Sequence, residues 1–177
     1  QDELVFDGAS FVINADHSLA VQAVDWAEAV VTTQWRRGDD DVWVCETGAL
    51  EKPSEDLESI YQAMTLGLRD YVEKNGFPGV LIGLSGGVDS AITAAVAVDA
   101  LGPDRVRCVM MPSPYTSQES LEDAEEAAQL MGVQLDDVGI QPAMTAFETM
   151  LEPIFGDAAA DVTEENIQAR SRGLILM

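Results

Sequence analysis

Apolar residues recur along this chain in two rhythms, and the change from one to the other marks where strands give way to helices. Phe11-Val12-Ile13 and Leu19-Ala20-Val21 are short β-prone runs joined by Asn14-Ala15-Asp16-His17-Ser18, so a hairpin is expected, with His17 solvated at its tip. Asp25 to Trp35 mixes β-branched residues with tryptophan and predicts another strand or edge segment. Arg36 to Asp56 has a different texture, with clustered aspartates, Gly48 and Pro53. It reads as a connector holding one short strand near Val42 to Val44. Ser54, followed by Glu55 and Asp56, predicts a helix N-cap with acids in the first turn. From there Leu57, Ile60, Tyr61, Met64, Leu68 and Tyr71 repeat at helical spacing until Asn75-Gly76 stops the helix. The stripe is read as core, the alternative being a binding helix.

Strand and helix patterns then alternate. Val80 to Leu84, a helix from Ala91 to about Leu101, the turn Gly102-Pro103-Asp104 and Val106 to Met110 make a βαβ unit, whose strands must be parallel. Glu119 to Met131 predicts a helix with Leu121, Ala124, Ala128 and Met131 on one face. Val133 to Ile140 predicts a strand and Pro142 to Leu151 a helix. Gly156 to Val162 is expected to be a mobile loop, and Thr163 to cap a last helix running through Arg172. The fold class is therefore α/β, a doubly wound parallel sheet preceded by a short β-rich piece. Leu174-Ile175-Leu176 reads as a helix that continues past Met177, and Gln1 to Phe6 as the interior of a longer sequence.

Composition narrows the function. A length of 177 residues suits one domain, or one domain with part of another, and 47% apolar content suits a buried core. A formal charge of -23 argues against nucleic acid or an anionic membrane as partner, because both call for a basic patch. An anionic substrate must then be held by local devices: a metal ion, a helix N-terminus or single arginines such as Arg105, Arg107, Arg170 and Arg172. The acidity reads as a well-solvated surface, or else as adaptation to a salt-rich habitat. No stretch is apolar enough to cross a bilayer and no signal sequence opens the chain. Cys45 and Cys108 stand apart with no metal-ligand spacing, which fits a reduced, cytoplasmic setting.

The chemistry converges on Gly83-Leu84-Ser85-Gly86-Gly87-Val88-Asp89-Ser90, between the strand and the helix of the βαβ unit. Its glycines let an anion approach the backbone, Ser85 and Ser90 carry hydroxyls, and the helix's first-turn N–H groups point the same way. Asp89 beside phosphates would repel them unless a divalent cation intervened, which suggests a magnesium nucleotide. No Lys precedes Ser90, so this is not a P-loop, and it is not the G-x-G-x-x-G dinucleotide fingerprint. It matches G-x-S-x-G, but a hydrolase needs its histidine downstream of the serine, and the sole histidine, His17, lies upstream. The plain alternative is a glycine turn that packs helix against strand and binds nothing. The hydroxyls of Met111 to Gln118, leaving the next parallel strand at the same edge, are further candidate ligands or simply a helix cap. Asn166 and Arg170 share a helical face and together suit a carboxylate or phosphate, or else the arginines make salt bridges.

SGGVDS, Ser85 to Ser90, resembles the pyrophosphate loop of ATP pyrophosphatases that adenylate their substrates, a group that includes GMP synthetases, asparagine synthetases and tRNA-thiolating enzymes. Together with MPSPYTSQESLEDAEEAA and ENIQARSRG it is similar to the synthetase half of the glutamine-dependent NAD synthetases, and QDELVFDGASFVINAD resembles the end of their nitrilase-type glutaminase domain. The resemblance implies a glutaminase piece over 1–36, a linker over 37–56 and an adenine nucleotide alpha hydrolase-like synthetase domain over 57–177. It implies amidation of deamido-NAD through an adenylate, with ammonia drawn from glutamine and with AMP and pyrophosphate released. Gly83 through Ser90 would hold ATP, Asp89 would hold Mg2+, and Asn166 and Arg170 would contact deamido-NAD, with no side-chain nucleophile. A homodimer is also implied.

The family's glutaminase Cys, Glu and Lys would precede Gln1, and neither Cys45 nor Cys108 is in that Cys motif, so this chain is expected not to hydrolyse glutamine. Met110 stands where ammonia-only relatives carry an Arg. Further metal and nucleotide ligands would follow Met177, so a partial site of low turnover is expected. The alternatives are another adenylating pyrophosphatase, GMP synthetase-like or tRNA-modifying, or a non-catalytic assembly module.

Overall fold

A computed structural model describes residues 4–39, 41–156 and 162–177. The chain divides into two compact units, Gln1–Tyr71 and Val72–Met177.

In the first unit, β1 (Phe11–Ile13) and β2 (Leu19–Gln22) form the expected antiparallel hairpin, with Val12 opposite Val21. Its turn is closed by Asp16, whose Oδ1 accepts from the Ser18 N–H at 3.0 Å and the Ser18 hydroxyl at 2.6 Å. These bonds hold the Asp16 carboxyl below its ordinary pKa. His17 is exposed at the tip with φ +67°. A second hairpin pairs β3 (Trp35–Arg37) with β4 (Trp43–Cys45). Asn14 joins the two hairpins, since its Oδ1 accepts from the Cys45 N–H at 2.9 Å and its Nδ2 donates to the Cys45 carbonyl at 3.2 Å. Cys45, placed by its sequence in a polar connector, is buried against Ala20 and Val21.

Three expectations fail here. The strand foreseen over Asp25 to Trp35 forms only at its last residue. Trp26 takes φ +53°, and Val30 and Val31 lie exposed with no partner strand among the described residues to reward their β-propensity. Ser54 does not cap α1 (Asp56–Lys74). The first helical carbonyl is that of Glu55, and the Ser54 N–H instead donates to Asp25 Oδ2 at 2.6 Å. The α1 stripe is not core, since Leu57, Ile60, Met64 and Tyr71 are exposed, Leu57 by 81%, whereas Tyr61 and Leu68 are half-buried. The stop at Gly76 holds: with φ +69° its N–H bonds the Glu73 carbonyl, and the Phe77 N–H reaches back to Val72.

The second unit is a parallel sheet in the order β5 (Val80–Gly83), β6 (Val106–Met110), β7 (Gln134–Asp137), with α2 (Val88–Leu101) and α3 (Gln118–Met131) as the crossovers. α2 and α3 pack on one another and on β6, while α4 (Gln141–Phe155) and α5 (Val162–Leu176) pack together with α5 against β5. The central strand is consequently covered on both faces. Val109, Met111, Ile140 and Met144 form one core with Ile167, Ile175 and Leu176, and Cys108 and Met110 are buried on the opposite pleat. The α/β, doubly wound class is therefore observed, with Ala124 and Ala128 buried and Leu121 and Met131 half-buried on α3 as foreseen.

The strand expected over Val133 to Ile140 is shorter, but its pairing continues irregularly, with the Val138 N–H on the Met110 carbonyl and the Ile140 N–H on Pro112. α4 runs on to Phe155 with Pro153 inside it. Thr163 lies within the first turn of α5 rather than capping it. The loop expected over Gly156 to Val162 falls, at 157–161, outside the described residues.

Candidate functional site

β5 delivers the chain to the carboxyl edge of the sheet, where the Leu84 N–H makes a last ladder bond to the Val109 carbonyl at 2.9 Å and the backbone turns away. Gly86 takes φ +81°, and a Cβ there would sit 2.2 Å from the Ser120 carbonyl oxygen, so only glycine fits between this bend and α3. α2 opens at Val88, three residues before the expected start, which puts Asp89 and Ser90 in its first turn. Its N-cap, Gly87, supplies no side-chain hydrogen bond, so the first-turn donors are left to solvent or to a ligand.

The two serines brace the bend. Ser90 Oγ donates to the Gly87 carbonyl at 2.8 Å and accepts from the Ser85 N–H at 3.2 Å. Ser85 Oγ accepts from the Gly87 N–H at 3.3 Å and lies 3.0 Å from Ser90 Oγ. In this arrangement the hydroxyls organise the loop and engage the Ser85 and Gly87 N–H groups, which leaves the first-turn N–H groups of α2, uncapped by Gly87, as the donors open to an anion. Asp89 is exposed on the first turn, and its carbonyl accepts from Thr93 Oγ1 at 2.8 Å. No group of three or more metal-ligating side chains occurs among the described residues. One carboxylate beside a glycine bend fits magnesium carried in by phosphates, an ion that takes few protein ligands, and does not fit an all-protein metal cage.

The Met111 to Gln118 loop leaves β6 at the same edge, as expected. The Ser113 N–H donates to Thr116 Oγ1 at 2.9 Å, and Ser117 caps α3 by accepting from the Ser120 N–H at 3.2 Å, so much of its hydroxyl chemistry serves the loop itself. Between bend and loop lies a cavity of about 200 Å³. Gly83, Leu84 and Ser85 line it on one side, Met111, Pro112 and Thr116 on another, and Arg172 enters from α5. Met110, buried at the end of β6, contributes to its wall.

Asn166 and Arg170 do come together on one face of α5. Arg170 Nη1 donates to Asn166 Oδ1 at 3.1 Å, and Asn166 Nδ2 donates to the Val162 carbonyl at 2.8 Å. The pair is exposed and does not line the cavity; Arg172 does. Sequence reasoning counted Arg172 only among the single arginines that could hold an anion, although the two-residue step from Arg170 already placed it on a different side of the helix.

A parallel α/β sheet whose carboxyl edge carries a glycine bend running into an uncapped helix N-terminus defines the class of the second unit: a parallel α/β domain with a glycine bend at its strand ends. Residues 60–177 match the family model for NAD synthase, and the chain belongs to that family. It is 51% identical over its full length to a glutamine-dependent NAD(+) synthetase of Rhodobacter capsulatus, of which it covers 32%. Among solved structures, the glutamine-dependent NAD+ synthetase of Acinetobacter baumannii in complex with adenosine diphosphate aligns over the whole chain with a TM-score of 0.93 and 47% identity, and the chain covers 33% of it. An ammonia-dependent NAD synthetase of Campylobacter jejuni, in complex with the nitrate ion, aligns over 70% of the chain with a TM-score of 0.61 and 28% identity, and the chain covers 51% of it. The chain thus spans about a third of the length of the curated relatives it matches.

Proposed function

We propose that this chain carries the nucleotide-activating part of a glutamine-dependent NAD synthetase, a carbon–nitrogen ligase that converts deamido-NAD to NAD. The observation that carries the reading is the bend at Ser85 to Ser90, within a chain of this family, opening onto an uncapped α2 and a cavity. Residues 1–36 would be the end of a nitrilase-type glutaminase domain, 37–56 a connector and 57–177 the synthetase domain. The stretch matched by the family model lies inside the last of these.

In this reading the stretch Gly83 to Ser90 receives the triphosphate of ATP, with the uncapped first-turn N–H groups of α2 as its donors. A carboxylate oxygen of deamido-NAD bonds to the α-phosphorus as the bond to pyrophosphate breaks. Ammonia nitrogen then bonds to the activated carbonyl carbon, AMP leaves and a proton is lost to solvent. No side-chain nucleophile is required, because the work is to align the phosphates and to meet the charge that develops on them with donors already in place. Asp89 would hold Mg2+, which when bound neutralises phosphate charge beside the bend. Asn166 and Arg170, coupled at 3.1 Å, offer an amide and a guanidinium to deamido-NAD. Ammonia comes from glutamine. A homodimer and a cytoplasmic setting complete the proposal, the latter supported by the free, buried thiols of Cys45 and Cys108.

Calorimetric titration of the chain with ATP, with and without magnesium, tests this. Heat that depends on magnesium and disappears in Asp89→Ala is expected. A folded chain giving no metal-dependent heat would instead be an assembly module.

A further inference from the structure

The carbonyls at the end of β6 are shared out by direction. Those of Met110 and Pro112 accept from Val138 and Ile140 on the β7 side, and that of Val109 accepts from Leu84 on the β5 side. By the alternation of a parallel ladder, the Met111 carbonyl also faces β5, but the chain there has already turned into the bend. Arg172 supplies the missing donor, with Nε 3.1 Å from the Met111 oxygen.

That bond uses one of the five N–H groups of a guanidinium. It is the only hydrogen bond Arg172 makes among the described residues, and no carboxylate there lies within ion-pair distance of it, in a chain of 32 acidic and 9 basic residues. The side chain is half-buried and lines a cavity that Leu84, Ser85, Met111 and Leu121 also line. A partly desolvated cation with no counter-ion among the described residues is costly unless an anion arrives to pair with it.

The geometry points to Arg172 as a binding residue for a phosphate group of the nucleotide that occupies this cavity, held in place by the Met111 carbonyl and distinct from the outward-facing Asn166 and Arg170. This rests on the nucleotide reading of the bend. Anchoring Nε to a backbone oxygen fixes the plane of the guanidinium, so its remaining donors meet phosphate oxygens at little further entropic cost.

The test titrates the chain, Arg172→Met and Arg172→Lys with ATP plus magnesium, with deamido-NAD and with adenosine, and follows thermal melting of each variant. Arg172→Met should weaken binding of one of the two phosphate-bearing ligands about tenfold or more, with adenosine unchanged, and which of the two responds identifies the source of the phosphate. Arg172→Lys should recover part of the loss, since charge is kept and the fork is not. Equal weakening of adenosine and of the phosphate ligands would overturn the inference and leave Arg172 as a backbone tie alone, as would unchanged affinity for both phosphate ligands. Failure of the unsubstituted, folded chain to bind any of the three would instead remove the nucleotide reading itself, and the inference with it.

Discussion

At the scale of single residues, the glycines separate by what surrounds them. A Cβ on Gly86 would collide with the Ser120 backbone, and φ is +81°, so both space and conformation refuse a side chain. Gly86→Ala is expected to cost about 3 kcal/mol or more, read from denaturant unfolding, and to abolish nucleotide heat. Gly173 lies within α5 with open space where its Cβ would be, so Gly173→Ala should instead stabilise by up to about 1 kcal/mol. Gly86→Ala melting like the unsubstituted chain would show that the bend is not held against α3.

Asp136 supplies a pH-dependent test. Arg107 reaches across from β6 with Nε 2.5 Å and Nη2 3.1 Å from its two oxygens, and this hydrogen bonding holds the Asp136 carboxyl below its ordinary pKa. A carboxyl that titrates lower folded than unfolded contributes stability above the unfolded pKa of roughly 3.9 and loses it as pH falls through the lower folded value. Arg107 is exposed and Asp136 only half-buried, so the effect is modest and weakened by salt. The stability difference between the unsubstituted chain and Asp136→Asn should thus be largest near neutrality and shrink in acid; a gap that widens in acid would contradict the sign.

At the scale of elements, two helices end by one device. Gly76 after α1 and Gly132 after α3 both take positive φ, and in each the following residue's N–H reaches a carbonyl five residues back, Phe77 to Val72 and Val133 to Ala128. Open space surrounds both, so Gly76→Ala and Gly132→Ala should each cost about 1 kcal/mol, from backbone strain alone. Ser117 does the matching work at the start of α3, and Ser117→Ala should cost about 1 kcal/mol in the same assay. Ends of this kind were legible in the sequence, because caps and stops are local chemistry. The misplaced caps at Ser54 and Thr163 show the limit: Asp25, 29 residues away, takes the Ser54 N–H.

At the scale of the whole molecule, a charge of -23 makes self-repulsion a standing cost of the folded state. Raising salt from low concentration to about 0.15 M, where the screening length falls to roughly 8 Å, should raise the melting temperature. A fall, or no change, would show that the acids are locally compensated. The α/β class, the parallel sheet and the bend were all readable from residue order, because hydrophobic period, glycine placement and βαβ connectivity act over short separations. The sequence could not say whether the α1 stripe is covered. That depends on what packs against it, and Leu57 and Ile60 prove exposed. Nor could it choose between the two arginines of α5. Their spacing puts them on different sides of the helix, but only the packing of α5 against β5 decided that Arg172 meets the Met111 carbonyl and the cavity while Arg170 turns outward to Asn166.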